Sequence, residues 1–243
     1  MTYALETGIR GQLGRRELLR VLGRTGESTV DEVVVTVGSD IIEGRLLPGD
    51  DLNSVELSRH FGTSRTPVRE ALLTLEREGF VEITARRRPR VASLDIQEVR
   101  ELYRVRAHLY AMVSRTVVDV ATQADLGRLH ELQAELTAAV RDEDVDRYFW
   151  TNVQVRNTEA AITGNRTLCR VLDSLGLRML QLRHISLSLP GRIQKSVLDH
   201  ERLLRAYEDR DGDLAAALTS SLVMRGLTAI EGSGWTGRVR RDN

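Results

Sequence analysis

The residues best suited to chemistry lie close together in the N-terminal third, where hydroxyl and guanidinium groups alternate from Ser64 to Arg69. Thr66-Pro67 predicts the start of a helix, because Thr66 can cap it and proline is favoured at the first helical position. In a helix-turn-helix, the opening turn of the second helix contacts base edges in the major groove. Arg65 can bind guanine O6 and N7, while Ser64, Thr66 and Arg69 suit phosphates or base edges. This pattern predicts a DNA-reading helix.

A second basic group follows between two short apolar runs. Phe80–Ile83 and Val91–Leu94 have the composition of two strands joined by a turn. The basic residues of this turn are Arg86, Arg87, Arg88 and Arg90. They lie where the tip of a wing would meet the DNA backbone or the minor groove, so we expect them to bind DNA.

Polar side chains also interrupt the apolar stripes of four helices predicted in the C-terminal part of the chain. By helical spacing, the interrupting residues are Arg106, Asn152, Arg156, His200 and Arg225. Burying a guanidinium without a partner costs several kcal/mol, so an inward arginine needs a carboxylate, a wet cavity or an anionic ligand. Two interpretations stay open. The five residues converge on a pocket that binds an organic anion, or they form ordinary buried salt bridges, for instance with Glu159 or Asp199.

The charge of the whole chain gives no sign of these groups. The 243 residues include 35 basic and 35 acidic side chains, and Lys195 is the single lysine. Zero net charge excludes a uniformly basic nucleic-acid coat and a polycationic membrane surface. Locally the balance differs, since residues 25–58 hold one arginine and eight acids, whereas residues 59–90 hold eight arginines and four glutamates. The basic excess is therefore confined to a short stretch.

Composition narrows the class further. The chain is 41% hydrophobic but only 4% aromatic, which favours helices and offers few platforms for stacking single-stranded bases. One cysteine, Cys169, excludes an internal disulfide and a cysteine-based zinc site. No signal peptide or stretch of 18 apolar residues is recognisable, so we expect a soluble cytoplasmic protein with no membrane partner.

The elements that position these residues follow from capping and turn signals. We expect a helix from Thr29 to Gly44, a second at Ser54–Phe61 with Ser54 as its N-cap, the DNA-reading helix up to Glu78, and the wing. This order is a winged helix-turn-helix over residues 29–94. We expect residues 1–28 to form a flexible N-terminal extension with a short helical run at 15–22.

Beyond residue 95 the pattern predicts only helices. Their approximate ranges are 95–122, 124–141, 144–163, 166–189, 192–210 and 213–231. The expected fold is mainly α, with an N-terminal winged helix-turn-helix and a C-terminal antiparallel α-helical bundle over 95–232 for effector binding and dimerisation. A basic tail covers 233–243.

The segment Ser64–Leu72, SRTPVREAL, resembles the GntR superfamily of bacterial transcription regulators, together with Pro48-Gly49, Gly62 and Leu75–Gly79. The helices that follow resemble the all-helical effector domain, of FCD type, of its FadR-like branch. This resemblance implies a homodimer on a palindromic double-stranded DNA operator, controlled by a small-molecule effector. It also implies that Ser64, Arg65, Thr66 and Arg69 contact DNA.

Two positions depart from the family's pattern. Val55 stands where an arginine ahead of the recognition helix often touches DNA, and Arg88-Pro89 stands where the wing usually turns on glycine. One backbone contact and the wing's turn are therefore expected to differ from the family.

The resemblance further implies a metal held by Asp or Asn, a His one turn later, and two later His. The corresponding residues are Asn152, Arg156, His200 and Leu222. Only Asn152 and His200 could ligate, and the Arg156 cation would repel a divalent ion. We therefore expect no metal and no other cofactor, with Arg156 replacing the metal's electrostatic role toward an effector carboxylate.

The expected function is a sequence-specific repressor, not an enzyme, whose operator binding responds to a small carboxylate. We expect this effector to alter the linkage near Leu94–Ile96 and thereby the spacing of two recognition helices. Two alternatives stay open: a helical small-molecule enzyme whose winged helix does not bind DNA, and a protein-interaction module. An enzyme would need an acid/base pair, whereas the inward polar residues are mainly cationic.

Overall fold

A computed structural model describes residues 9–235, with side chains from residue 12 onward. Expectations for residues 1–8 and 236–243 lie outside the described residues. Within the described range the chain forms two compact units. Unit 1 contains residues 9–96, 176–182 and 235, and unit 2 contains 97–175 and 183–234.

Unit 1 has the helix-helix-helix-wing order that the sequence predicts, preceded by one further helix. Its elements in chain order are α1 Ile9–Val21, α2 Thr29–Ile42, α3 Ser54–His60, α4 Arg65–Arg77, β1 Val81–Glu82 and β2 Arg90–Val91. α1 is longer than the short helical run expected at 15–22, and it packs on α2 through the fully buried Leu18. A Cβ atom at Gly38 of α2 would lie 2.7 Å from Leu18 Cδ2, so glycine permits this close approach.

Capping residues fix where the helices of unit 1 begin. Ser28 and Asp31 form a capping box at the start of α2. Asn53, not Ser54, caps α3 by accepting a hydrogen bond from the Val55 amide. Ser64, not Thr66, is the N-cap of α4, which therefore begins two residues earlier than predicted.

The wing grows directly out of the end of α4. Gly79 has φ +74°, a conformation that glycine adopts without strain, and it turns the chain so that Phe80 N–H donates to Leu75 O at 2.8 Å. β1 then pairs antiparallel with β2, with Val81 opposite Val91. Both valines are buried, so the two-stranded sheet is held to the unit by its apolar face. Arg90 lies in β2, not in the turn where it was predicted.

Five of the six helices predicted beyond residue 95 lie close to observed helices. Seven helices follow the wing in the described chain, and they form unit 2 apart from Ile96 and residues 176–182, which belong to unit 1. They are α5 Ile96–Val120, α6 Gln123–Arg141, α7 Val145–Ile162, α8 Arg166–Ser174, α9 Gly176–Ser188, α10 Arg192–Glu208 and α11 Gly212–Gly232. The single helix expected at 166–189 is wrong. The chain breaks at Leu175 and Gly176, where Gly176 has φ +69° and starts a new helix.

Three helix pairs carry most of the packing in unit 2: α6 with α7, α6 with α10, and α10 with α11. α5 and α11 are joined by Ser114 Oγ and Thr219 Oγ1 at 2.6 Å and by Arg100 and Glu231 at 2.7 Å. α11 is long and apolar enough to span a membrane by length and composition alone. Its buried residues, among them Thr219 and Val223, pack into the bundle.

Candidate nucleic-acid interface and buried arginine cluster

The first turn of α4 presents its polar residues to solvent. Arg65 is the first helical residue, and Ser64, Arg65, Thr66 and Arg69 are all exposed. The Ser64 side chain makes no capping hydrogen bond, so its hydroxyl is not committed to the helix. The opposite face of α4 is buried, through Val68, Ala71, Leu72 and Leu75. Because that face is packed in unit 1, the polar face can only point outward.

A cleft of about 650 Å³ lies between this turn of α4 and the wing. Its cationic lining residues are Arg65, Arg69, Arg86, Arg87 and Arg88. No acidic side chain is among the lining residues. The structure thus brings two groups, separated by 17 to 23 positions in sequence, to one concave surface.

The arginines of this cleft carry uncompensated charge. Across residues 12–235, none of the five forms an ion pair. Arg90 differs, because its Nε donates to Asp51 Oδ1 at 2.8 Å and its backbone bridges to Asp51. Arg86 turns the wing in the left-handed region at φ +64°, the role that glycine has in the family pattern. A surface of this charge and curvature suits a nucleic-acid backbone.

In unit 2, four of the five predicted inward residues are buried together. Arg106 and Arg156 both approach the Tyr110 ring, with guanidinium carbons 5.3 and 5.4 Å from its centroid. Asn152 Nδ2 lies 2.7 Å from His200 Nε2. The side chains of α5, α7 and α10 therefore converge, as the helical spacing predicts.

Arg156 is compensated by a carboxylate on its own helix. Its side chain is only 1% exposed, and Nη1 donates to Glu159 Oε2 at 2.8 Å. The Tyr207 hydroxyl donates to the other oxygen of Glu159 at 3.1 Å. Burial opposes the charge of Arg156, but Glu159 more than offsets it and raises the pKa of this guanidinium. One of the two interpretations, the buried salt bridge to Glu159, therefore applies to this residue.

Arg106 has no such carboxylate. Its Nε is buried without a hydrogen-bond partner among the described residues. Burial, together with the nearby Arg183 cation, lowers the pKa of Arg106 to about 9. The side chain remains cationic at neutral pH, in a place where its charge is poorly solvated.

Sequence reasoning missed further members of this cluster. Buried side-chain atoms without a hydrogen-bond partner in the described part of unit 2 include Arg106 Nε, Arg156 Nη2, Arg183 Nε, Arg183 Nη1, Arg192 Nε and Ser186 Oγ. Both Arg183 and Arg192 act electrostatically on Tyr103, next to Arg106. We call Arg106, Arg156, Arg183 and Arg192 the arginine cluster. The cluster therefore holds several cationic donor atoms that no acceptor among the described residues satisfies.

Arg225 is not in this cluster, contrary to its predicted inward position. Its side chain is 50% exposed, and Nη1 donates to both oxygens of Asp199, at 2.7 and 2.8 Å. The neighbouring Gly226 is buried instead, and a Cβ on it would lie 3.0 Å from Tyr103 Cε1. The face of α11 that packs most closely on Tyr103 is therefore the one with Gly226, and Arg225 lies beside it in solvent.

The residues at the family's metal positions do not fit a metal. Among the described residues, no group of three His, Cys, Asp or Glu is placed to hold one. Asn152 donates to Nε2 of His200 and so occupies the lone pair a metal would need. Burial and the Arg156 cation lower the pKa of His200 well below its usual value, which keeps the ring neutral. Arg156 itself places positive charge where the second ligand would stand.

We expect the purified protein to carry no stoichiometric zinc, nickel or manganese. The donor set around Asn152 and His200 offers one amide and one imidazole, which are already bonded to each other. Elemental analysis after dialysis, compared between the wild type and His200→Ala, measures this. A metal bound at one equivalent to the wild type and absent from His200→Ala would contradict the expectation.

Comparison with known proteins places both units in one family. Residues 29–91 match the family model of bacterial regulatory proteins of the gntR family, and residues 101–224 match that of the FCD domain. The first match contains α2 to the wing, and the second contains most of unit 2. The exposed turn of α4 and the arginine cluster each lie inside one matched region.

Individual relatives agree with these matches. YdhC of Bacillus subtilis (strain 168), an uncharacterized HTH-type transcriptional regulator, is 24% identical over 176 residues, covering 72% of this chain and 79% of that protein. The HTH-type transcriptional repressor RspR of Escherichia coli (strain K12) is 23% identical, covering 75% and 81%. The structure of E. coli McbR/YncC matches with a TM-score of 0.72 at 23% identity, covering 85% and 99%. The chain therefore belongs to the GntR family of transcriptional regulators, with a helix-turn-helix DNA-binding domain followed by an FCD domain.

Proposed function

We propose that this regulator is a cytoplasmic repressor that binds a palindromic operator as a homodimer and responds to a small organic acid held in unit 2. The observation that carries the proposal is the presence of two separate groups of arginines, the first without ion pairs among the described residues and the second with buried donor atoms that have no hydrogen-bond partner there. One group lines an open cleft next to the recognition helix, and the other is buried in the effector domain. The exposed arginines suit a DNA backbone, whereas the buried arginines suit a small anionic ligand.

Operator reading is assigned to the start of α4. Arg65 extends from the first turn, where its fork can bind O6 and N7 of one guanine, and Arg69 follows one turn later on the exposed side. Ser64 and Thr66 are exposed beside them and suit phosphate oxygens. Val55 also lines the cleft but offers no donor, so one backbone contact of the family is absent there.

The wing is assigned to the sugar-phosphate backbone or the minor groove. Arg86, Arg87 and Arg88 line the cleft together, so their contacts add charge attraction without base selection. Arg90 is held by Asp51, which makes it the weakest contributor of the four predicted residues. A homodimer doubles this surface on two half-sites, whose spacing must match the DNA repeat.

Effector binding is assigned to the arginine cluster. Glu159 is engaged by Arg156 and Tyr207, and Asp199 is engaged by Arg225. Neither carboxylate is therefore free to neutralise Arg106 and Arg183. A ligand with one or two carboxylates would supply the missing acceptors through bidentate contacts. The Arg156 cation stands where the family holds a metal, which supports a metal-free mode of carboxylate binding.

The names of relatives support repression. RspR, which is 23% identical over 75% of this chain, is named a repressor. We propose that ligand binding in unit 2 alters the linkage near Leu94–Ile96 and so the spacing of the two recognition helices. A changed spacing weakens simultaneous binding of both half-sites, because their distance is set by the duplex.

A thermal-shift screen tests the effector site. We expect a small mono- or dicarboxylic acid at about 100 times its Kd to stabilise the protein by about 2.7 kcal/mol. For a chain of this size that corresponds to roughly 5–10 °C in Tm. The corresponding amides, which have the same shape but no charge, should produce no shift. An active acid should then release the protein from operator DNA in a gel-shift titration.

Two variants make this screen specific. Arg183→Ala removes a buried donor of the cluster and should abolish the shift, whereas Arg128→Ala changes an exposed arginine on α6 and should retain it. If the same acid stabilised both variants equally, the effector would bind elsewhere. If no acid in the panel shifted the wild type, the carboxylate assignment would be wrong while the DNA assignment would stand.

A further inference from the structure

α5 carries a second apolar stripe, which faces solvent. Val105 and Met112 are 50% and 47% exposed, unusually high for large apolar side chains. Leu102 and Leu109, which helical spacing alone would place on the same inward stripe as Arg106, are only half-buried. The inward face is formed instead by Val99, Tyr103, Arg106, Tyr110 and Val113. The bundle thus leaves one long side of its longest helix uncovered.

The spacing of this stripe is regular. Its residues alternate at intervals of three, four, three and four: Leu102, Val105, Leu109, Met112 and Thr116. This is the a/d repeat of a coiled coil, in which a helix buries such a seam against another helix. A single exposed apolar residue needs no explanation, but an unpartnered heptad seam over four turns does.

Charges beside the seam indicate the orientation of the partner. On one flank, at intervals of seven, lie Glu101, His108 and Arg115, all exposed. Glu101 is negative and Arg115 is positive, with His108 between them. Two copies of the helix that run in opposite directions would therefore bring opposite charges together. A two-fold axis at His108 would place Glu101 of one copy next to Arg115 of the other, twice. Among residues 12–235 the ion-pair partner of Arg115 is Asp213, at 2.6 Å, and both side chains remain mostly exposed.

We propose that α5 pairs antiparallel with α5 of a second copy, about a two-fold axis near His108. Leu102 and Met112 of opposite copies would form the outer layers, and Val105 and Leu109 the inner ones. The same patch serves both subunits, as a closed two-fold dimer requires. The pairing depends on neither the operator nor the effector, so it is measurable without DNA or ligand.

Sedimentation velocity on the full-length protein tests the seam. Wild-type protein should be a dimer, and Val105→Glu or Met112→Glu should weaken dimerisation by more than about tenfold, because each places two carboxylates in an apolar layer. Leu198→Glu is the matched control, since Leu198 of α10 is 54% exposed but lies away from this stripe. A dimer that survives both seam variants, a dimer lost in Leu198→Glu alone, or a monomeric wild type would overturn the proposal.

A charge exchange tests the orientation without touching the apolar residues. Glu101→Arg and Arg115→Glu should each weaken the dimer, since each brings like charges together across the axis. The double variant Glu101→Arg/Arg115→Glu should regain wild-type dimerisation, and an equimolar mixture of the two single variants should form heterodimers. All four proteins are expected to have the same circular dichroism spectrum. Single variants that dimerise like the wild type, or a double variant that stays weak, would exclude the antiparallel arrangement.

Discussion

Arg65→Ala is expected to lower the affinity for the operator by about 5- to 150-fold, which corresponds to the roughly 1–3 kcal/mol of a bidentate arginine–guanine contact. The reason is its place at the first residue of α4, exposed and without an ion pair that would compete for its donors. Fluorescence anisotropy with an operator duplex and a scrambled duplex of the same length measures both affinity and specificity. The two affinities should approach each other in the variant.

Arg87→Ala separates base reading from backbone contact. As a wing residue it should weaken binding to both duplexes alike and reduce the slope of log K against log salt by about 1. Arg128→Ala on α6 should leave all these values unchanged, because Arg128 pairs with Glu131 on the surface of unit 2. Undiminished sequence-specific binding by Arg65→Ala would contradict the role given to the α4 turn.

The recognition helix could be predicted from sequence because its signals are local. Pro67 marks a first turn, Gly62 and Gly79 end the elements on either side, and Val68, Leu72 and Leu75 form an apolar stripe. Each signal acts within a few residues, so errors stay small, as in the shift of the cap from Thr66 to Ser64. The cleft was expected only as two separate basic groups, since its shape depends on how the wing folds back.

The inward faces of α5 and α11 were harder to predict because both helices carry two competing stripes. On α5 the stripe with Leu102 and Leu109 is more apolar than the stripe with Tyr103 and Tyr110, yet the latter is buried. On α11 the buried face includes Thr219 and Gly226 beside its alanines and larger apolar residues, and hydrophobicity alone does not select those two. If the outer stripe of α5 is a dimer seam, its apolar residues are explained by contacts with a second copy, which the burial pattern of one chain does not show.

Arg183 and Arg192 were missed for a different reason. If 166–189 is treated as one helix, the side that Arg183 faces is calculated from residues before Gly176. The helix in fact breaks and starts again at Gly176, so Arg183 faces a different direction. Arg192 follows Gly191, whose φ of +71° likewise resets the chain before α10. Helical periodicity predicts faces only within an unbroken helix, so residues just after a break have no predicted side.

Glu159→Gln is expected to destabilise the protein by about 3–5 kcal/mol, the usual cost of removing one partner of a buried ion pair. Glu159 is the carboxylate bound to Arg156, and Arg106 lies against the same Tyr110 ring. Without it, buried cations would repel each other with no counter-charge among their contacts. Urea unfolding followed by circular dichroism gives the free energy, and Tm should fall by roughly 6–20 °C.

Arg106→Met should change stability in the opposite direction. Methionine keeps much of the volume of the side chain but removes a buried charge that has no carboxylate partner in the described structure, and such replacements are often stabilising by about 1–4 kcal/mol. The same variant should lose the Tm shift produced by the effector acid, because it lacks a guanidinium of the cluster. The unliganded protein would thus become more stable while its response disappears. Destabilisation by Arg106→Met as large as that by Glu159→Gln would show that this guanidinium is already satisfied in the unliganded bundle, and that its charge serves the fold and not a ligand.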